Sequence, residues 1–395
     1  MGSAFVVGTF DTKGAELQYV ADLVATGWPV RTVDLSTSGG SAGETDIAAA
    51  EVAAAHPGGS EAVFTGDRGS AVNEMSRAFA EFLARREDVD AVLGLGGSGG
   101  TALITPAMRR LPVGVPKFMV STVASGDTSS YVDATDVAMF PSVTDVAGLN
   151  RISRRVLGNA AHALLGAVTH RIPSEQDKPA VGLSMFGVTT PCVTALVEQL
   201  TDHDPLVFHA TGTGGRAMEK LVDDGMIGAL LDITTTEVCD LIAGGVMSAG
   251  DQRLDAVIRT GVPYVGSCGA LDMVNFGAKD TVPQRYRDRN LYVHNPQVTL
   301  MRTTRDECRS IGEFLARKLN ACEGPVRFLL PEDGVSLLDA PGQQFHDPEA
   351  DAALFETLER EVRQSEQRRI VRVPHNVNDA EFVESALAAF REVAG

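Results

Sequence analysis

Three consecutive residues, Asp11-Thr12-Lys13, stand between an apolar run, AFVV, and a segment with helical spacing. An acid, a hydroxyl and a cation at the start of a helix are the parts of an anion site. Free helix amides and Lys13 attract a phosphate, and Asp11 can hold a magnesium ion that accompanies it. Thr9, just before, adds a hydroxyl. A second such place is GLGGSGGTAL, where Gly96, Gly97, Ser98, Gly99, Gly100 and Thr101 again follow an apolar run and open a helix. Glycines there let the backbone approach a ligand closely. A third is STVASGDTSSYV, in which Ser121, Ser125, Gly126 and Asp127 offer hydroxyls, an amide and a second magnesium-binding carboxylate.

The second half of the chain repeats the pattern with FHATGTGGRAME. Thr211, Gly212, Thr213, Gly214, Gly215 and Arg216 form a second candidate anion cradle, and His209 is a candidate acid/base group because imidazole titrates near neutrality. Asp232 and Glu237, on either side of three threonines, are candidate metal-associated or acid/base carboxylates, and Cys268, between Ser267 and Gly269, is the cysteine placed to react. Each motif also has a plain structural reading. Asp11 or Thr12 can cap a helix, His209 can bond neighbouring backbone, Arg216 can lie along a helix surface, and Cys268 can be a small buried hydrophobe. The loop GLGGSGGTAL is not a Walker loop, since no Lys-Ser/Thr follows it. The stretch LPEDGVSLLDAPGQQFHDPEAD is too long and too rich in Gly and Pro for a simple connection, which marks it as a functional loop or a packing arm.

Short apolar runs alternating with helical segments position these loops. The first half reads as strand AFVV, helix 15–26, strand PVRTVDL, helix 71–85, strand DAVLGL, helix 101–109 and strand PKFMVST. A helix across VAGLNRISRRVLGNAAHALLGAVTHRIP closes that half, and a linker is expected around Pro173 to Pro179. A second set follows: AVGLSMF, helix 193–200, PLVFHATG, helix 216–224, GALLDIT, helix 237–242 and PYVGS, then strand VRFLL, a helix 350–364, strand RIVRV and a last helix from Asp379. Such alternation means parallel sheets covered on both faces. The fold class is therefore α/β: two domains, residues 1–175 and 176–395, with mainly parallel sheets and a cleft expected between them. Ligands in such sheets sit at the carboxyl ends of strands, where every loop named above lies.

Composition narrows the function. The chain has 395 residues, of which 44% are hydrophobic and 22% charged, as expected for globular domains. Its formal charge of -18 opposes binding to nucleic acid. No apolar run approaches the ~18 residues of a membrane span, and the start MGSAFVVGTF has no basic segment of a signal peptide, so a cytoplasmic protein is expected. Five cysteines without a CxxC pair form neither a disulfide framework nor a zinc site.

Taken together, VVGTFDTKGAEL, GLGGSGGTAL, STVASGDTSSYV, FHATGTGGRAMEKL, GVSLLDAPGQQFHDPEAD and PHNVND resemble, over essentially the whole chain, the Tm-one-like ATP-binding domain family, the domain family of the tomato mosaic virus resistance protein. The resemblance implies two Rossmann-like domains, ATP binding and a homodimer. The plant member continues into a TIM-barrel domain, so a separate TIM-barrel protein is an implied partner. Asp11, Thr12, Lys13 and the loops 96–101, 125–127 and 209–215 match the family's motifs. Two functions follow as expectations. One is an ATP-binding protein whose strand-end loops hold the phosphates with Mg2+. The other is an enzyme of small-acid catabolism, a lyase or hydrolase, taking an anionic carboxylate or phosphate metabolite.

Overall fold

The computed structural model describes residues 2–38, 44–172 and 178–395. The chain divides into two units, Met1–Ser174 and Glu175–Gly395. The expected linker, Pro173 to Pro179, lies largely outside the described residues.

The first unit is built from β1 (Ser3–Gly8), α1 (Phe10–Ala25), β2 (Val30–Asp34), α2 (Ala49–Ala53), α3 (Arg68–Ala84), β3 (Val89–Gly96), α4 (Ser98–Arg110), β4 (Lys117–Ser121), α5 (Ser129–Val132), β5 (Ala138–Pro141) and α6 (Arg151–Thr169). Its strands run in the order β2-β1-β3-β4-β5, and every pairing is parallel. Alternate residues of β1 serve opposite faces. Phe5 and Val7 pack with Met75 and Phe79 of α3 and Ile104 of α4, whereas Ala4 and Val6 pack with Leu17 and Val20 of α1 and Leu157 and Leu164 of α6. Burial on both faces is why the strand reads as an unbroken apolar run.

The second unit comprises β6 (Ala180–Met185), α7 (Thr190–Gln199), β7 (Asp204–His209), α8 (Thr213–Asp223), β8 (Ala229–Thr234), α9 (Glu237–Ala243), α10 (Asp255–Thr260), β9 (Tyr264–Gly269), β10 (Met273–Phe276), β11 (Leu291–Asn295), β12 (Val298–Arg302), α11 (Arg305–Ala321), β13 (Val326–Pro331), α12 (Pro348–Glu361), β14 (Arg368–Val373) and α13 (Ala380–Ala394). Its main sheet has the order β14-β13-β9-β8-β6-β7 and is parallel throughout. Counted from its own first strand, this is second-first-third-fourth-fifth-sixth, the order of the first unit with one strand added.

Two differences from the sequence-based expectation stand out. A small antiparallel sheet, β10-β12-β11, and the long helix α11 occupy a region between PYVGS and VRFLL to which the sequence pattern assigns no element. The helix is announced by a capping box, in which Thr304 accepts from Glu307 N while Glu307 accepts from Thr304 N. The helices that follow strand-end loops also start earlier than expected: α1 at Phe10, α4 at Ser98, α7 at Thr190 and α8 at Thr213. The glycine and hydroxyl residues of those loops therefore form first helical turns, which brings their amides into play.

Candidate functional site

In a sheet of order 2-1-3-4-5 the chain leaves β1 toward one side and β3 toward the other, which opens a crevice at their carboxyl ends. The first unit has a cavity of about 680 Å³ there, lined by Thr9, Asp11, Thr12 and Lys13 after β1, Thr37 and Ser38 after β2, and Gly97 to Gly100 after β3. Gly66, Asp67 and Arg68, with Ala71 and Val72 of α3, complete the wall with Leu103 of α4. Three helices, α1, α3 and α4, thus bring their first turns to one cavity, and the positive ends of their dipoles with them.

The three ends differ in what they leave free. Those of α1 are satisfied internally: Phe10 N donates to Asp34 Oδ1 (3.0 Å), Asp11 N to Ser36 Oγ (3.2 Å), and Thr12 N and Lys13 N to Thr9 O. Asp34, buried at the end of β2, also accepts from Ser36 N and Oγ and so pins the loop after β1 to that after β2. The end of α3 is capped by Asp67, which accepts from Ser70 N (2.8 Å). At α4 no side chain caps the helix, and the amides of Ser98, Gly99 and Gly100 find no acceptor among the described residues. These amides are therefore the free backbone donors at this edge of the cavity.

Side chains around it are hydroxyl-rich and carry both signs of charge. Thr9 and Thr12 share a hydroxyl bond (2.8 Å), and Ser38 Oγ donates to Asp11 Oδ2 (2.6 Å). Lys13 leaves helical geometry, with φ -133° and ψ 22°, and its Nζ donates to Val146 O. Arg68, exposed at the start of α3, makes no ion pair or hydrogen bond among the described residues. Sequence motifs did not single out Arg68, Asp67, Thr37 or Ser38. The available signal was Gly-Asp before a helical run, an N-cap pattern.

Other expected residues are placed elsewhere. Thr101 is fully buried and bonds Ser121 Oγ (2.6 Å) and Gly97 O (2.8 Å), so this pair ties the turns after β3 and β4 together instead of facing a ligand. Gly96 serves packing, because a Cβ there would lie 2.9 Å from Gly100 Cα. Ser125, Gly126 and Asp127 do not line the cavity. Asp127 accepts from Ser129 N (2.9 Å), and bonds to Ser129 hold its carboxyl below the usual range. Of the two expected magnesium carboxylates, Asp11 alone reaches the cavity, with Asp67 beside it. Among the described residues no group of three or more His, Cys, Asp or Glu side chains is arranged to hold a metal.

In the second unit the expected cradle is filled from within. Gly212 N and Gly215 N donate to Glu237 Oε1 at 2.7 and 3.1 Å, and Arg253 Nε donates to Oε2 at 2.8 Å. The carboxylate of Glu237 sits where a ligand's anion would sit. Gly215 is required for this, since a Cβ would lie 2.1 Å from Glu237 Oε2, and at Gly214 a Cβ would lie 1.9 Å from His209 O. Thr211 Oγ1 turns back to His209 O (3.3 Å), Thr213 opens α8, and Arg216 Nη1 donates to Ser248 O (3.2 Å). Arg253 also bonds Asp232 through both carboxylate oxygens (2.7 and 2.8 Å) and Glu219 (3.2 Å). Burial raises the pKa of Glu237 against the opposing pull of Arg253.

The three expected catalytic residues do not form a constellation: among the described residues no hydrogen bond joins any two of them. His209, at the end of β7, stacks on Phe186 with ring centroids 5.3 Å apart, and partial burial lowers its pKa. Glu237 is committed to Arg253 and the two amides. Cys268 is completely buried in the apolar core of the unit, and burial pushes its thiol well above the ordinary range, which removes both access and thiolate.

Residues 2–173 match the N-terminal domain, and residues 178–394 the C-terminal domain, of an uncharacterised protein family, UPF0261. The chain belongs to the UPF0261 family. A UPF0261 protein of Rhizobium meliloti is 59% identical over the full length of both chains, and one of Mesorhizobium japonicum is 55% identical over the same extent. The tomato mosaic virus (ToMV) resistance protein Tm-1(GCR237) of Solanum lycopersicum is 44% identical across 99% of this UPF0261 chain, which corresponds to 55% of the tomato protein. The ToMV susceptible protein tm-1(GCR26) matches over the same span at 42%. The shared part thus occurs in both tomato proteins, and similarity to it carries no implication of resistance. No described helix of this UPF0261 chain is long and apolar enough to cross a membrane.

Proposed function

We propose that the first unit binds a phosphate-bearing ligand of the nucleotide class, ATP with Mg2+ being the member that the family resemblance implies. The observation that supports this is the set of free amides of Ser98, Gly99 and Gly100, at the crevice of the sheet, in a cavity that Lys13 and Arg68 also line. The amides take a phosphate, the two cations neutralise it, and Asp11 or Asp67 shares a magnesium ion with the phosphate oxygens. Thr37, Ser38 and the Thr9–Thr12 pair supply partners for a ribose. The wall of Ala71, Val72 and Leu103 suits an uncharged ring.

One observation favours a second reading. The three free amides form one cradle, at α4 alone, which is the size of a single anionic group. A small carboxylate or monophosphate metabolite fits it without a polyphosphate chain, and the protein then belongs to small-acid metabolism. As working assembly we take a cytoplasmic homodimer, to be checked by sedimentation.

Thermal unfolding of the full chain with Mg-ATP, with inorganic phosphate and with a panel of small acids separates the two readings. A ligand at 100 times its Kd that binds only the folded state adds about 2.7 kcal/mol. The expected result is a shift with Mg-ATP that shrinks in Lys13→Ala and in Arg68→Ala. A shift with a small acid and none with ATP selects the second reading. No shift with any anion, or a shift that both variants retain in full, refutes the cradle as the site.

A further inference from the structure

After β13 the chain runs across the carboxyl edge of the second sheet before entering α12. Gly334 O accepts from Val377 N (3.0 Å) beyond β14, Val335 O from Ala270 N (2.8 Å) beyond β9, and Leu337 N donates to Val188 O (3.1 Å) beyond β6. Residues 332–347 therefore lie over the edge at which a parallel sheet takes its ligand. The strand ends they cross carry buried hydroxyls. Thr189 and Thr234 bond each other (2.7 Å), and Ser267 Oγ, fully buried at β9, has no partner among the described residues.

A charged cluster ties this segment down. Arg302 of β12 donates from Nη2 to Asp339 Oδ1 (3.2 Å) in the segment and to Asp351 Oδ1 (2.7 Å) in α12, and from Nε to Phe345 O (2.6 Å). Asp272, just before β10, accepts from Ser336 Oγ (2.8 Å), and its other oxygen has no hydrogen bond among the described residues. Asp339 also accepts from Val335 N (2.9 Å), and it shares the Nη2 of Arg302 with Asp351. Two carboxyls thus share one guanidinium, with the carboxyl of Asp272 near it, in a space where Asp272 and Asp339 are 0% exposed. Two uncompensated negative charges there are too costly, so a carboxyl retains its proton.

We propose that residues 332–347 are a cover over the carboxyl edge of the second sheet, latched by a proton shared between Asp339 of the cover and Asp351 of α12. Burial, with Asp272 and Asp351 nearby, pushes the Asp339 carboxyl up to about 9. The other groups facing the latch are Asp347 at the start of α12, Cys308 of α11, Cys268 of β9, and His346, whose Nδ1 lies 3.0 Å from Asp339 O. In the lifted cover Asp339 returns to its ordinary value of 3.8. Docking takes up a proton between these two values. It weakens as pH rises through that window, by up to tenfold per pH unit, and levels off above it. Lifting the cover exposes the hydroxyl-lined strand ends to a ligand.

Hydrogen exchange of the full chain at pH 6.5 and 8.5, corrected for the intrinsic rate, tests this. Peptides from 332–347 should lose protection by up to about a hundredfold across those two pH units, while β13 and α12 keep theirs. In Asp339→Asn, which mimics the protonated acid, protection of the cover should persist at pH 8.5. His346→Gln should retain the wild-type dependence. The proposal is overturned if wild-type protection does not change with pH, if the cover opens only together with β13, if Asp339→Asn keeps the wild-type slope, or if His346→Gln abolishes it. Should Asp339→Asn not fold, the wild type and His346→Gln decide the matter.

Discussion

Replacing Arg253 by methionine removes the one cation from a group of three buried carboxylates and keeps the side-chain volume nearly unchanged. Arg253 is 2% exposed and contacts Asp232, Glu237 and Glu219. Each carboxylate retains other donors in the variant: Asp232 keeps Ser184 Oγ and Tyr264 OH, Glu237 the amides of Gly212 and Gly215, and Glu219 the amides of Leu254 and Ala256. The loss is therefore one of charge compensation more than of hydrogen bonds. Breaking a buried pair by removing one partner costs about 3–5 kcal/mol, and the retained donors place this variant toward the lower figure. At about 2–4 °C per kcal/mol for a domain of this size, the melting transition of the second unit should fall by roughly 6–15 °C. The sign with pH also follows. Burial already raises the pKa values of Glu219 and Glu237, and without Arg253 they rise further. A carboxyl whose folded pKa exceeds its unfolded value loses stability as pH increases above the unfolded value, so the penalty should shrink when pH is lowered from 7 to 5. Urea unfolding at both pH values, followed by circular dichroism, measures it. A penalty below about 1 kcal/mol at pH 7, or one equal at the two pH values, refutes the charge-compensation argument.

Two further predictions concern the remaining candidates. All five cysteines are buried, so a thiol reagent should label none in the native chain and five in denaturant; rapid native labelling of Cys268 would restore it as a reactive group. At Gly99 an added Cβ meets nothing within 4 Å and points back over the cradle of α4. Gly99→Ala should therefore raise the unliganded stability by about 0.4–1 kcal/mol, as this exchange does in a compatible helix, and diminish the anion-induced thermal shift; an undiminished shift would mean that the ligand does not contact these amides.

Much of the fold was legible because burial on both sheet faces writes itself as apolar runs such as AFVV and DAVLGL, and because turns of Gly, Ser and Thr separate them. The small antiparallel sheet was not legible, since β10 has four residues and its partners five each. Runs that short carry no dependable period. The loop after β1 and the glycines after β3 were recognisable as strand-end loops, and both line one cavity. Arg68 was not, because its place in the cavity depends on how α3 starts, and a lone arginine in FTGDRGS reads as solvated surface. In the second unit the glycine loop was read as a cradle for a ligand's anion, whereas its amides are taken by Glu237, 25 residues away in the chain from Gly212. Nothing in the local pattern distinguishes a glutamate that fills such a cradle from one that caps its own helix, and the distinction comes only from the β7–α8 and β8–α9 connections meeting in space.

The two units share a strand order, yet their carboxyl edges leave unequal freedom for sequence change. In the first, Arg68 and Ser98 to Gly100 project from helix ends already held by other residues, so most exchanges there alter affinity before they alter the fold. In the second, Glu237, Arg253, Asp232, Ser184 and Tyr264 depend on one another, and a single replacement removes a charge or a donor from a buried network. New ligand preferences are accordingly easier to acquire in the first unit by single substitutions. In the second they call for paired ones.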